Sequence, residues 1–376
     1  MALSKTTDDL PVDDTFTKAL PKAELHAHLS GSISRTTLRT IWQKKKATSN
    51  NDESTLPDPA IALKPAGTFP TILSFFQIFN DYIYSLVNDC ESIAYATRSV
   101  VEDFRRDGVR YLELRTTPRN IPDAGISRAE YVRIVLEALT QYHKAQLASG
   151  TKGADLIEVH LILSIDRTMS ASEADEIVSI AASHAQPSLS PSPNRTIDLP
   201  RVLALDLCGN PTKGDVSIFT PSFLRAKTLG LNTTVHFAEV PASSTWAELT
   251  TLLSWSPDRL GHCCNIPADL KAVIKERKPG LELCLSCNVL AEMTQGGFEA
   301  HHFGEWVATE CAVALSTDDV GVFESALSNE YLIAARAFGL SRAQLVDLAK
   351  RASKAACAGT ERMERLIEEY RRSVEC

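Results

Sequence analysis

Eight short apolar runs, most of them rich in Val, Leu and Ile, recur along this chain. They span Ala23–His28, Val109–Thr116, Ile157–Ser164, Val202–Leu207, Thr233–Phe237, Arg259–His262, Leu281–Leu285 and Ala312–Ser316. Runs of this length and composition read as β-strands. Between most of them the apolar positions fall at helical spacing instead, as in Ile93–Phe104, Arg128–Gln146, Glu173–Ser183 and Gln344–Cys357. Strands that alternate with helices predict a parallel sheet of the α/β class. Eight of them predict a closed (β/α)8 TIM barrel, whose chemistry sits at the C-terminal strand ends.

Three segments fall outside that alternation. Residues 1–17 are polar and read as a flexible N-terminal tail, leaving 18–376 as one barrel domain with inserted helices and loops. Lys44–Pro65 is polar and contains proline, and reads as an insertion after the first helix. Gln186–Asn194 is Ser/Pro-rich and reads as an exposed loop before the fourth strand. No shift in composition marks a second domain. At 376 residues the chain exceeds a typical domain, but such barrels often reach this size with insertions.

Composition narrows the partners. With 39 Lys and Arg against 47 Asp and Glu the formal charge is −8, and no dense basic stripe appears. Duplex nucleic acid and anionic membranes are therefore not expected partners, whereas a small anion held by a few local cations is compatible. No apolar leader and no window of 18 apolar residues is seen. The nine cysteines are scattered and read as reduced thiols of a cytosolic protein. A monomer is expected.

The strand ends carry the candidate chemistry. His26 and His28 lie two apart in the first strand, so both imidazoles face the same way and reach one ion. His236 ends the fifth strand and Asp318 follows the eighth. Three neutral nitrogens and one carboxylate oxygen make a zinc-type ligand set with room for a water. Bound zinc lowers that water's pKa to roughly 7. Glu239 lies three residues after His236, where the strand has ended, and is placed to curl over the pocket as a general acid. His262 ends the sixth strand and is read as orienting the water, taking its proton or stabilising developing charge. Asp318 and Asp319 are adjacent and so point apart. One suits the metal and the other a substrate donor, with a helix N-cap as the plainer role for Asp319.

Other motifs carry less. Cys284 and Cys287 form a CxxC whose thiols would face opposite sides of a strand. His301 and His302 lie in a polar loop, and His143, His160 and His184 on helices or a strand interior; all five are read as structural. Glu113 and Arg115 share a strand face and read as a buried pair.

These motifs, over Leu20 to about Ala356, resemble the adenosine/AMP deaminase family of zinc hydrolases. The resemblance rests on Pro21 to Ser32 with its two histidines, Leu205 to Gly209, His236-Phe-Ala-Glu239, Gly261-His262 and Ser316 to Asp319. It implies one zinc ion per chain on His26, His28, His236 and Asp318. It implies Glu239 as proton donor to purine N1, His262 as activator of the water and Asp319 as partner of N7. Asp318 joins the catalytic set. Gly209 would bring backbone to the purine edge, where a side chain would obstruct.

Tyr111 to Arg119 and Thr317 to Phe323 resemble the branch of that family that acts on N6-methyl-AMP. Two hydroxyls and a guanidinium after the second strand (Thr116, Thr117 and Arg119, with Pro118 between) suit a 5′-phosphate. Neutral Ser30 stands where nucleoside deaminases of the family carry Asp, which removes repulsion against a phosphate. His28, Asp166, Gly209, Glu239 and Asp319 complete the substrate-binding set, and Lys213 and Arg167 are alternative cations. The expected reaction converts N6-methyl-AMP to IMP and methylamine, with adenosine deamination as the alternative. A binuclear amidohydrolase needs a lysine at the fourth strand end, where this chain has Leu-Cys-Gly209. The HxE…PCxxC signature of cytidine deaminases is missing. A catalytically dead scaffold would be expected to have lost a ligand or Glu239, and neither is lost.

Overall fold

The computed structural model describes residues 11–48, 56–63, 76–185 and 197–375. Its centre is an eight-stranded parallel sheet in strict chain order: β1 Lys22–His28, β2 Val109–Thr116, β3 Glu158–Asp166, β4 Val202–Cys208, β5 Asn232–Phe237, β6 Arg259–His262, β7 Gly280–Leu283 and β8 Val313–Leu315. Helices cover the outside. Every strand is buried along nearly its whole length, because inner faces meet one another and outer faces meet helices. That double burial is why the runs are continuously apolar rather than alternating.

The last seam passes through the site. Beyond β8 the chain runs on to Asp318, whose N–H donates to the His26 carbonyl at 2.8 Å while its carbonyl accepts from His28 N–H at 2.9 Å. The TIM barrel thus closes between Ala27 and Asp318.

Helices begin earlier than apolar spacing alone suggests, because their polar caps precede the first apolar residue. Asp89 and Ser92 form a capping box for Cys90–Arg106. Ser170 and Glu173 do the same for Ala171–Ser183, and Ser341 and Gln344 for Arg342–Lys354. The last of these helices stops three residues short of Cys357. There Cys357 N–H donates to Glu113 Oε1 at 2.6 Å and Arg259 donates to the Ala355 carbonyl at 3.0 Å, so the turn is drawn into the base of the barrel.

The expected boundary at residue 17 falls inside a helix. Asp14–Ala19 is helical, Asp13 caps it, and Phe16 and Thr17 are buried. Residues 1–10 lie outside the described residues, as does Gln186–Asn194. The insertion expected over Lys44–Pro65 starts later, since the first long helix runs on through Thr48. The short helix Pro59–Ala62 follows it, and residues 49–55 lie outside the described residues. Among the described residues no helix is long and apolar enough to cross a membrane, and the eight described cysteines are free thiols.

Candidate active site

Four side chains converge at the C-terminal mouth of the barrel. His26 and His28 extend from the same face of β1. His236 Nε2 lies 3.2 Å from Nε2 of each. Asp318 Oδ1 lies 3.4 Å from His26 Nε2 and 3.3 Å from His28 Nε2. Four-coordinate zinc with bonds of about 2.0–2.1 Å separates its ligand atoms by roughly 3.4 Å.

The hydrogen bonds behind the imidazoles test whether an ion fits. His26 Nδ1 meets Glu282 Oε2 at 2.7 Å, and His236 Nδ1 meets Asp206 Oδ1 at 3.1 Å. Each carboxylate accepts the Nδ1 proton and leaves Nε2 as a lone pair. Two Nε2 atoms aimed at each other across 3.2 Å, beside a carboxylate, call for positive charge between them, either a metal ion or a proton: against burial and Arg115, Asp318 and Glu282 raise His26 to about 9. The donor set therefore fits a metal ion. Gly261 on β6 makes room for it, since a Cβ there would come within 2.6 Å of the His26 ring.

Arg115 ties the two supporting carboxylates together. Its guanidinium donates to Glu282 Oε2 at 2.8 Å and to the Leu25 carbonyl at 2.7 Å, and it pairs with Asp206 Oδ1 at 3.2 Å. These are the same oxygens that hold His26 and His236. The expected Glu113–Arg115 pair does not form. Arg115 is taken by Asp206 and Glu282 from other strands, and Glu113 meets Arg259 at 2.6 Å and the Tyr111 hydroxyl at 2.6 Å instead.

Glu239 lines the cavity and His262 lies buried beside it, both at strained turns. Ala238 just before Glu239 has φ 51, and His262 and Asp318 have φ 62 and 59. Left-handed backbone at non-glycine residues concentrates at functional sites. His262 Nε2 is 4.0 Å from Glu239 Oε1 and 3.9 Å from Asp318 Oδ2. Burial, reinforced by Asp318, pushes Glu239 up to about 8, so its acid form persists at neutral pH. Burial holds His262 well below its ordinary value and therefore neutral.

Asp318 and Asp319 lie past the end of β8, not on it, and both line the cavity. Asp318 Oδ2 accepts from the Cys287 thiol at 2.9 Å. Asp319 makes no side-chain cap bond to the helix that it precedes. Burial, with Asp318 and Glu239 nearby, raises its carboxyl well above the ordinary range.

The cavity above these side chains has a volume of about 360 Å³, within the range of small-molecule sites. His28, Ser30, Thr116, Thr117, Asp166, Gly209, His236, Glu239, Asp318 and Asp319 all line it, with Thr168, Asn210, Lys213 and a wall of Phe76, Phe79 and Tyr84. Gly209 has φ 98, and a Cβ on it would lie 2.4 Å from Asp166. Pro118 and Arg119 do not line it. Arg119 donates to the Tyr84 carbonyl at 3.3 Å and lies over the Tyr84 ring at 4.6 Å, so it buttresses the cavity wall from behind. Arg167 is buried against Glu248 at 2.6 Å. Lys213 has no ion-pair partner among the described residues.

Several contributors were not legible from their sequence context. Cys287 lies in the helix Leu285–Leu290 rather than on a strand, because β7 ends at Leu283. Asn288, on that helix, bonds to both His262 and His301. His302 Nε2 meets the His262 carbonyl at 2.6 Å. The His301-His302 doublet was the signal; nothing in the sequence tied it to His262.

Residues 21–372 match the adenosine deaminase family. N6-methyl-AMP deaminase of Bos taurus is 35% identical over 347 residues, covering 91% of each chain. The structure of Arabidopsis N6-mAMP deaminase is 31% identical, with a TM-score of 0.79 over 95% of this chain and 99% of that one. Arabidopsis ADAL complexed with IMP gives a TM-score of 0.80 at 30% identity, over 96% and 98%.

Proposed function

This chain belongs to the adenosine deaminase family and is a hydrolytic deaminase, and we propose that it converts N6-methyl-AMP and water to IMP and methylamine with one zinc ion per chain. The observation that carries the nucleotide assignment is Lys213. It is a cation with no ion-pair partner among the described residues, lining a cavity that also presents Thr116, Thr117, Thr168 and Asn210. Hydroxyls, an amide and an ammonium suit a phosphate, and Ser30 adds no negative charge there, while the Asp166 carboxylate in the same lining is held by the Thr168 hydroxyl and N–H at 2.5 and 2.8 Å. The relative of known structure that holds IMP is consistent with this reading.

His26, His28, His236 and Asp318 would hold the ion. When bound, zinc supplies a water acidic enough to attack near neutral pH. Glu239, held in its acid form, donates its proton to purine N1 and so draws electron density from C6. Asp319, kept protonated by burial and by Asp318 and Glu239, donates to N7, which is only an acceptor. Gly209 lets backbone lie against the purine edge. Phe76, Phe79 and Tyr84 shield the reacting face from solvent. The C6–N6 bond then breaks as C6=O forms: one proton of the added water leaves on the amine, the other restores Glu239, and the ring, with N1–H, becomes that of IMP.

Purified protein offered adenosine, AMP and N6-methyl-AMP should show the largest absorbance change with N6-methyl-AMP. A preference for adenosine would overturn the nucleotide assignment. Elemental analysis should give about one zinc per chain, and two metals or none would overturn the mononuclear reading.

A further inference from the structure

We propose that His301 and Asn288 are positioning residues that lock His262 in the tautomer carrying its proton on Nε2, so that His262 meets the attacking water as a hydrogen-bond donor and accepts no proton from it.

The chain of bonds starts at a group whose role is fixed. The backbone N–H of Phe303 can only donate, and it points at His301 Nδ1 at 3.0 Å. His301 Nδ1 is therefore an acceptor, which puts the His301 proton on Nε2. That nitrogen lies 3.1 Å from Asn288 Oδ1, so the amide oxygen accepts. The amide nitrogen then donates, 3.0 Å from His262 Nδ1 and 3.4 Å from Met293 Sδ. Met293 Sδ can only accept, and turning the amide over would set its N–H groups against the His301 Nε2 proton and its oxygen against that sulfur. His262 Nδ1 is thus an acceptor and the one ring proton of the neutral imidazole sits on Nε2.

The polarity is insulated. His262 and Asn288 are fully buried and His301 is 2% exposed. The His301 ring stacks on His302 at 4.1 Å, and His302 Nε2 meets the His262 carbonyl at 2.6 Å. The loop therefore fixes both the backbone and the ring of His262. Burial, with His302 beside it, drives His301 down to about 2, so it stays neutral and keeps its one-way polarity. The outcome is visible at the far end. Nε2 of His262 has no hydrogen-bond partner among the described residues and faces the space between Glu239 and Asp318.

This inference rests on the deaminase reading for its consequence, but its first test does not use substrate. In zinc-loaded wild-type protein with 15N-labelled histidine, His262 Nε2 should give a pyrrole-type shift and Nδ1 a pyridine-type shift. The reverse pattern would overturn the proposal whatever the enzyme acts on. Asn288→Asp presents an acceptor to His262 Nδ1 and should move the proton there. With zinc still bound, kcat should fall on the order of 10²–10⁴-fold while KM changes little, the scale seen when a catalytic histidine is held in the wrong tautomer. His301→Gln, whose amide can accept from Phe303 and donate to Asn288, should retain most activity, and His301→Leu should not. Folded, zinc-loaded Asn288→Asp with unchanged kcat would also overturn it. If that variant does not fold, the wild-type spectrum decides.

Discussion

The barrel interior beneath the candidate metal ligands and the cavity above them are both built from buried ionisable groups, yet they are partnered in opposite ways. Below, Arg115, Arg259, Glu113, Glu282 and Asp206 are at most 2% exposed, and each belongs to an ion pair of 2.5–3.2 Å. Above, Glu239 Oε2, His262 Nε2 and Asp319 Oδ1 have neither a hydrogen bond nor an ion pair closer than 3.9 Å among the described residues, whereas floor atoms without a hydrogen bond, such as Arg115 Nη1 and Arg259 Nη2, still sit in ion pairs of 3.2 and 2.6 Å. A buried polar atom without a partner costs about 1–3 kcal/mol. Three such atoms gathered at one cavity suit a ligand, whereas the paired floor holds the imidazoles of His26 and His236 in place.

The two regions also respond to pH with opposite sign. Against the cost of burial, Arg115 and Arg259 keep Glu282 well below the usual carboxylate range, and Arg115 and His236 do the same for Asp206. Their contribution is present above the unfolded carboxylate pKa and is lost as pH falls through their depressed values. Glu239 is raised from 4.5 to about 8. Across that window the folded state holds a proton that the unfolded state has lost, so stability falls as pH rises.

Glu239→Gln probes the cavity side and should have the largest effect. It removes the acid for N1, and kcat should drop on the order of 10²–10⁴-fold with zinc retained. Stability should not drop with it. In metal-free protein the decline of Tm between pH 5 and pH 8 should become shallower, because the group that releases a proton only on unfolding has been replaced by an amide. A normal kcat would remove Glu239 from the mechanism, and an unchanged Tm profile would place the proton elsewhere.

Arg115→Met probes the floor and should give the converse pattern. Asp206 would be left buried without an arginine and Glu282 with Arg259 alone, a loss of about 3–5 kcal/mol in stability. Both carboxylates would also be freed from the guanidinium that fixes them behind His26 and His236. Zinc affinity, measured by competition with a chelator, should weaken roughly 10–100-fold. Destabilisation without any loss of zinc affinity would make Arg115 a purely structural charge.

The convergence of His26, His28, His236 and Asp318, with Glu239 beside them, was legible because barrel strand ends are predictable from apolar runs, and period-2 geometry settles which way His26 and His28 face. What lies behind them was not. The Glu113–Arg115 reading failed because residues two apart on one strand share a face, yet neighbours across a barrel come from other strands. Only the closed structure shows Arg115 reaching Glu282, 167 positions away. Cys287 and Asn288 were hidden by a boundary. An apolar run from Leu281 to Leu285 reads as strand to its end, but the chain turns into a helix after Leu283, and this aims Cys287 at Asp318 and Asn288 at His262. Arg119 was misplaced for a similar reason: a position just after a strand end does not decide which side of the wall its side chain takes.

Lys213 extends the comparison to the rim, where a cation lines the cavity without the carboxylate partner that Arg167 has. Lys213→Ala should lower kcat/KM for N6-methyl-AMP roughly 10–150-fold, the loss of one hydrogen bond to a charged group. It should leave the nucleoside rate nearly unchanged. Arg119→Ala, which weakens the Tyr84 wall, should lower both rates together and by less. A loss of phosphate selectivity in Arg119→Ala but not in Lys213→Ala would reverse that assignment.

Cys287 sits between the two regions and should show the smallest effect. Its Sγ donates to Asp318 Oδ2 at 2.9 Å, while Oδ1 of the same carboxylate is the oxygen 3.3–3.4 Å from His26 and His28. Burial pushes the thiol well above its ordinary pKa, with Asp318 adding to it, so the group is S–H and a donor, not a competing thiolate ligand. A thiol is a weak donor, and the net value of such a bond is about 1 kcal/mol. Cys287→Ala should therefore weaken zinc affinity only about fivefold. Cys287→Ser keeps a donor on a shorter bond and should recover part of that loss. If the alanine variant binds zinc as tightly as the wild type, the thiol belongs with the packed interior, and the division between paired floor and open cavity passes above Asp318 rather than through it.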